Sequence, residues 1–286
     1  MENNYILNNG VKMPSIIMGT TSFTSFRQMN EAICSAIDAG CRAFDTSRFY
    51  RTGGEETEKC LGIIIKNYLK SNSYLTREDF FITTKLAIPQ LIRGSIEKDV
   101  IESINKLDTE YIDSLLIHWP FPDYFVPAYQ KMEELYKKGL VKTLGMSNCQ
   151  IRHFEQLFDA GLEINPQVHQ LELHPLNTAS ETVEYCKKKN INIQAYSPLG
   201  KMLDPIKNNE TLKEIANKHE KSLAQILLRW HYQLGFAPIF RSKSVDRIKN
   251  NLELFDFRLS EDEIELISNL NQNYKICTES SRCPGY

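Results

Sequence analysis

Asp45, Tyr50, Lys85 and His118 are the residues of this chain whose types and placement could do chemistry together. Three of them close short apolar runs that read as buried strands: Arg42-Ala43-Phe44-Asp45, Phe80-Phe81-Ile82-Thr83-Thr84-Lys85 and Ser114-Leu115-Leu116-Ile117-His118. Tyr50 stands just past the first run. If those strands run parallel around a barrel, their C-terminal ends share one mouth and the four groups converge there. An amine beside a phenol stabilises phenolate and lowers the phenol's pKa, while a carboxylate keeps the amine charged. The four residues outline a proton-transfer site.

Something must position them, and the chain alternates strand-like and helix-like segments from end to end. Tyr5-Ile6-Leu7 followed by Asn8-Asn9-Gly10 predicts an opening hairpin, and a strand is expected from Ser15 to Met18. Ala32, Ile33, Ala36 and Ile37 have helical spacing in a segment, Gln28 to Ala39, that stops at Gly40. Strands ending at Asp45, Lys85 and His118 then alternate with helices near Glu55 to Tyr68, Ile92 to Leu107 and Ala128 to Lys138. Further strands are expected at Thr143 to Met146, Gln167 to Glu172, Ile191 to Tyr196 and Ala237 to Ile239, again alternating with helical stretches. The last helix is expected at Glu261 to Leu270. Eight strand-then-helix units predict a (β/α)8 barrel rather than an open sheet, with an N-terminal β-hairpin and a C-terminal helix and tail. No Pro, Ser or Gly-rich linker divides the chain, so residues 1–286 are expected to form a single domain.

Composition narrows the function. With 286 residues and 42% hydrophobic content the chain can bury a large core. A net charge of −2 and the lack of a long basic run argue against nucleic acid as partner. No apolar stretch approaches a membrane span, and Met1-Glu2-Asn3-Asn4-Tyr5 lacks the basic start and apolar core of a signal peptide, so a cytoplasmic location is expected. The cysteines Cys34, Cys41, Cys60, Cys149, Cys186, Cys277 and Cys283 show no paired C-x-x-C spacing, which speaks against a zinc site or a disulfide framework. Cys277 and Cys283 are the two expected to be exposed. His169 and His174 are expected to make structural bonds rather than bind a metal, because no third ligand has suitable spacing.

An ordered set of short strings carries a resemblance. Phe44-Asp45-Thr46 with Tyr50, Thr84-Lys85, Leu116-Ile117-His118-Trp119-Pro120, Gly145-Met146-Ser147-Asn148, Gln170-Leu171-Glu172-Leu173-His174-Pro175 and Ala195-Tyr196-Ser197-Pro198-Leu199 occur in the order and spacing of the aldo-keto reductases. The chain resembles that family from Gly19 to about Phe257. The resemblance implies a (β/α)8 barrel that binds NADP(H) in an extended pose without a Rossmann domain. No G-x-G-x-x-G occurs, and Gly53-Gly54 reads as a loop insertion. It further implies Tyr50 as general acid toward the carbonyl oxygen, Lys85 lowering the phenol's pKa, Asp45 paired with Lys85, and His118 orienting the carbonyl or relaying the proton.

Cofactor contacts are expected from Gly19, Thr20, Thr21, Asp45, Ser147, Asn148, Gln170, Tyr196, Ser197 and Leu199. Tyr196 offers a face for a nicotinamide ring, and Ser147, Asn148 and Gln170 offer groups for its carboxamide. After the last strand, Arg241-Ser242-Lys243-Ser244, Arg247 and Asn251 make a cationic, hydroxyl-rich turn into a helix, suited to a phosphate. The family commonly shows Ile-Pro-Lys where this chain has Phe240 and Arg241, so NADPH is expected with NADH less excluded. A substrate site is expected from Phe23, Phe49, Tyr50, His118 and Trp119, with Phe121 and the tail as further walls, for a small uncharged carbonyl compound. Ala87 and Cys149 replace a Trp and a Phe common in the family and predict a wider pocket near Lys85. The protein is expected to act as a monomer. The expected activity is NADPH-dependent reduction of aldehydes or ketones; the alternative is an NADP(H)-binding redox sensor or regulatory subunit with little turnover. A metal-dependent hydrolase would need a carboxylate and histidine cluster that the sequence does not show.

Overall fold

The apolar runs that end in ionisable groups do become buried parallel strands. A computed structural model describes residues 4–277 together with Cys283. Strands β1 (Asn4–Ile6) and β2 (Lys12–Pro14) form the predicted antiparallel hairpin. Leu7 and Met13 pack with Ile17, Ala43, Phe81, Leu116, Val168, Ala237 and Ile239, so the hairpin plugs one end of the barrel with apolar side chains.

The barrel strands are β3 (Ile17–Gly19), β4 (Ala43–Asp45), β7 (Phe81–Leu86), β8 (Ser114–Ile117), β9 (Leu144–Ser147), β10 (Val168–Glu172), β11 (Asn192–Tyr196) and β12 (Ala237–Phe240). They close in sequence order, β12 pairing back onto β3, and every pairing is parallel. Parallel register brings polar residues level: Gly19 opposite Asp45, Asp45 opposite Thr83, Ser147 opposite Gln170 and Gln170 opposite Gln194. Close approach is built in at Gly145, where a Cβ would lie 2.3 Å from the Val168 carbonyl.

Helices α1 (Phe26–Asp38), α2 (Thr57–Ser71), α3 (Ile88–Arg93), α4 (Ile96–Lys106), α5 (Phe125–Lys137), α6 (Ile151–Asp159), α7 (Ser180–Lys188), α8 (Asp204–Lys207), α9 (Glu210–Lys218), α10 (Leu223–Gln233), α11 (Val245–Leu252) and α12 (Glu261–Ser268) surround the strands. In α1 the Ser25 side chain caps the start, Met29, Ala32, Ile33, Ala36 and Ile37 face the core, and Gly40 at φ +92° ends it, as its spacing predicts.

Two local expectations are corrected. The single helix predicted from Ile92 to Leu107 is two, because Gly94 adopts φ +72° and turns the chain between α3 and α4. Gly53-Gly54 is not a loose insertion but the two-residue turn of a small hairpin, β5 (Arg51–Thr52) and β6 (Glu55–Glu56), with both glycines at positive φ. Among the described residues no helix is long and apolar enough to cross a membrane.

Candidate active site

Asp45 ends β4 and Lys85 is the penultimate residue of β7, so parallel pairing delivers both at the same end of the barrel. The fully buried Lys85 Nζ donates to Asp45 Oδ1 at 2.6 Å and to the Thr46 carbonyl at 2.9 Å. Asp45 Oδ1 also accepts from Gln170 Nε2 at 2.8 Å, and the same amide nitrogen donates to Gln194 Oε1 at 2.8 Å. A charge-assisted belt therefore crosses four strands and holds the carboxylate and ammonium where neither could be left unpaired at low cost.

The Tyr50 ring sits over this pair, its centroid 5.2 Å from Lys85 Nζ, and the His118 ring meets it edge-on at 6.0 Å and 81°. Burial, then the Asp45 carboxylate and Cys277, push the Tyr50 phenol well above its ordinary range. Burial likewise lowers the Lys85 ammonium against the opposing pull of Asp45. The ammonium is committed to Asp45 and Thr46, and desolvation outweighs the lowering of the phenol expected from Lys85. A phenol in this state keeps its proton at neutral pH and can serve as an acid.

The turn that carries Tyr50 is anchored from both sides. Thr46 N–H donates to the Thr83 carbonyl on the barrel side. On the outside the Arg48 guanidinium donates to the Asp99 carbonyl at 2.7 Å, Ser103 Oγ at 3.0 Å and Glu102 Oε2 at 2.8 Å, which pins the turn to α4.

These groups open onto a cavity of about 480 Å³ at the C-terminal ends of the strands. Of the predicted site residues, Gly19, Thr21, Asp45, Phe49, Tyr50, His118, Trp119, Ser147, Asn148, Gln170, Tyr196, Ser197, Leu199 and Arg241 line it. Its floor complements a primary carboxamide. Asn148 Nδ2 is spent on the His118 carbonyl and Ser147 Oγ, and Asn148 Oδ1 accepts from Tyr196 Oη at 2.8 Å. Gln170 Nε2 is spent as described, which leaves Gln170 Oε1 to accept from an amide and the Ser147 hydroxyl hydrogen to donate to its oxygen. A second cavity of about 610 Å³ shares Leu199 and Arg241 with the first and includes Ser242, Arg247 and Asn251. Arg241 and Arg247 have no ion-pair partner among the described residues, so their charge is available to an anion at the start of α11. The two cavities meet at Leu199 and Arg241.

A sequence profile of the aldo/keto reductase family matches residues 15–272. A glyoxal reductase of Bacillus subtilis is 36% identical over 272 residues, covering 94% of this chain and 93% of that protein. A methylglyoxal reductase of Escherichia coli K12 is 33% identical and covers 94% of each. Among solved structures, a Bombyx mori aldo-keto reductase in complex with NADP superposes with a TM-score of 0.91 at 31% identity, covering 100% of this chain and 99% of that one. The chain belongs to the aldo-keto reductase family.

In this aldo-keto reductase several predicted positions fall elsewhere. Phe23, expected against substrate, is buried in the outer core with the helices. Phe121 packs half-buried on the same core and does not line the cavity. Thr20 is fully buried, its hydroxyl donating to the Asp45 carbonyl, so it braces the strand end from behind. Ala87 caps α3 and lies outside the lining, so its small size does not widen the cavity. Cys283, expected to be exposed, is fully buried with Sγ donating to the Pro120 carbonyl, and Cys277 is half-buried in the cavity wall. His169 and His174 both make protein bonds, to Cys149 N–H and to Glu172. The remaining tail residues, 278–282 and 284–286, expected as pocket wall, lie outside the described residues.

Lining residues that were missed are Ser22, Pro198, Lys201, Ile239 and Phe240, the last noted only as a departure from the family, together with Cys277, noted only as a tail thiol. Lys201 lies two residues past Ser197-Pro198-Leu199 and adopts φ +49°, a left-handed position that a lysine rarely takes. Glu172, which was quoted without a role, accepts from the backbone N–H of Ile276 at 2.6 Å and of Cys277 at 2.8 Å and so fastens the tail beside the cavity.

Proposed function

We propose that this aldo-keto reductase reduces the carbonyl of small aldehydes or ketones to the alcohol, using NADPH. The observation that carries this reading is the convergence of Asp45, Tyr50 and His118 on one cavity, with Lys85 buried behind Asp45, whose floor complements a carboxamide and whose far end is cationic. When bound, the cofactor would supply a hydride from its nicotinamide. Ser147 and Gln170 would hold the carboxamide, Asn148 would brace Ser147 and Tyr196 beside it, Tyr196 would back the ring, and Arg241, Ser242, Arg247 and Asn251 would hold the 2′-phosphate end.

Tyr50 would give its proton to the carbonyl oxygen, a role that suits a phenol whose proton burial retains. Lys85 would stabilise the phenolate left behind, and Asp45 would keep Lys85 charged through their 2.6 Å contact. His118, meeting the Tyr50 ring edge-on, would fix the carbonyl oxygen from the other side. Phe49 and Trp119 would form apolar walls for the rest of the substrate. Two relatives are a glyoxal and a methylglyoxal reductase, which makes short 1,2-dicarbonyls the first compounds to assay.

The test is Tyr50→Phe with a carbonyl panel and separate NADPH titration. General acid catalysis is worth about 10² to 10⁴ in rate, so kcat should fall by that factor while nucleotide affinity stays nearly constant. A variant that kept more than roughly a tenth of the wild-type kcat, with chemistry limiting turnover, would point to another proton donor. Tight nucleotide binding with no turnover on any carbonyl would instead favour a sensor.

A further inference from the structure

His118 is a ring with two distinguishable nitrogens, and which of them carries hydrogen decides whether it offers a carbonyl oxygen a donor or a lone pair. The residue facing Nδ1 is Ser47, fully buried two positions after Asp45, with Oγ 3.2 Å from Nδ1. Phe49 N–H already donates to that same Oγ at 3.3 Å. If Nδ1 also donated to it, Oγ would accept twice and Ser47's own hydroxyl hydrogen would be left buried without an acceptor among the described residues. Burying an unmade hydrogen bond is the costlier arrangement. If instead Ser47 donates to Nδ1, Ser47 Oγ and Nδ1 both have their partners, and in neutral imidazole the hydrogen then resides on Nε2.

We infer that Ser47 is a positioning residue that holds His118 in the Nε2–H tautomer, so that its second nitrogen is a hydrogen-bond donor toward a carbonyl oxygen. Ser47 does not line the cavity whereas His118 does, which places the Nε2 edge of the ring on the cavity side. The same short turn serves Tyr50, whose N–H donates to the Ser47 carbonyl at 3.0 Å. One turn thus sets both the acid and the orientation of its companion donor. The catalytic meaning rests on the proposed carbonyl reduction; the tautomer itself does not.

The test uses the whole protein labelled with ¹⁵N-histidine at neutral pH, with the His118 signals assigned by their loss in His118→Gln. Wild type should show a pyrrole-like Nε2 and a pyridine-like Nδ1. Ser47→Ala should move both shifts toward a mixture, and Ser47→Thr, which keeps the hydroxyl, should restore the wild-type pattern. In kinetics Ser47→Ala should lose roughly threefold to tenfold in kcat with the KM for NADPH unchanged, as expected for one lost hydrogen bond, and Ser47→Thr should recover most of it. A wild-type Nδ1–H tautomer, or shifts unmoved in Ser47→Ala, would overturn the inference. Correct shifts in a protein that turns over no carbonyl would leave the tautomer standing and refute the proposed function instead. Should Ser47→Ala fail to fold, the wild-type spectrum alone decides the tautomer.

Discussion

Cys277 and Glu172 are joined across 105 residues by a hydrogen bond from the Cys277 backbone N–H to Glu172 Oε2. Glu172 Oε1 takes the neighbouring Ile276 N–H and His174 Nε2 as well, so one buried carboxylate receives three donors. Burial alone would raise this carboxyl, but His174 and the two amides outweigh burial and hold it below its ordinary value. Upstream, the Gln272 and Tyr274 N–H groups both donate to the Leu176 carbonyl. The tail wall of the cavity is therefore hung from the end of β10.

Glu172→Gln keeps the shape of the side chain but replaces one acceptor oxygen with an NH2 group that faces the Cys277 N–H. Losing a hydrogen bond to a charged group costs about 1.5–3 kcal/mol, enough to release this stretch of tail. The KM for carbonyl substrates should rise several-fold, most for bulky ones, while NADPH affinity holds, because the Glu172 carboxylate hydrogen-bonds His174 and the tail amides and no residue assigned to the cofactor. Steady-state kinetics on a size-graded aldehyde series measures this. An unchanged KM across the series would mean that the wall stands without Glu172.

The tether illustrates what sequence can and cannot show. Asp45, Lys85 and His118 were legible because an ionisable residue at the end of an apolar run has no cheap buried fate except a built site, and parallel strands bring such ends together. Ser147 and Gln170 were legible as polar groups near strand ends at positions that the family resemblance also marks. Glu172 ends a strand too, but its partners are backbone amides of Ile276 and Cys277, which leave no trace in side-chain type. Phe23 failed because an aromatic in a βα loop reads the same whether it turns to the cavity or to the helices. The break at Gly94 was hidden because Ile92, Ile96 and Val100 keep a four-residue spacing straight across it. Phe121 and Ala87 erred for a related reason: the resemblance places a position along the chain but not the direction of its side chain.

Stability should fall as the medium is acidified below neutrality, earlier than carboxylates alone would cause. His169 Nε2 accepts the Cys149 N–H at 3.2 Å, a bond that only an unprotonated nitrogen can accept, and burial holds its pKa down to about 3. The unfolded chain protonates this residue near pH 6.5, so between 6.5 and about 3 the unfolded state binds the extra proton and the folded state loses ground as pH drops. Each pH unit in that window costs about 1.4 kcal/mol from His169 alone. Urea unfolding at pH 7.0 and 5.5 should show the midpoint falling, and His169→Gln, whose side-chain oxygen can take the same N–H, should lessen the drop, the remainder coming from His153 and His231, which burial also lowers to about 4. A slope identical in the variant would place the acid sensitivity elsewhere.

Cofactor preference should turn on Arg241. It lines both cavities, follows β12 directly, and has no ion-pair partner among the described residues. A charge-assisted contact to a phosphate contributes about 1.5–3 kcal/mol, or roughly tenfold to a hundredfold in affinity, and solvent exposure places the expectation at the lower end. Arg241→Ala should therefore raise the Kd for NADPH about tenfold and leave that for NADH nearly flat, since NADH lacks the 2′-phosphate. Added salt should narrow the wild-type preference in the same direction, because an exposed cation is screened over about 8–10 Å at physiological ionic strength. Fluorescence titration of both nucleotides, at low and high salt, separates the cases. Equal weakening of the two would assign Arg241 to the pyrophosphate they share, and the 2′-phosphate would then fall to Arg247 or Lys243.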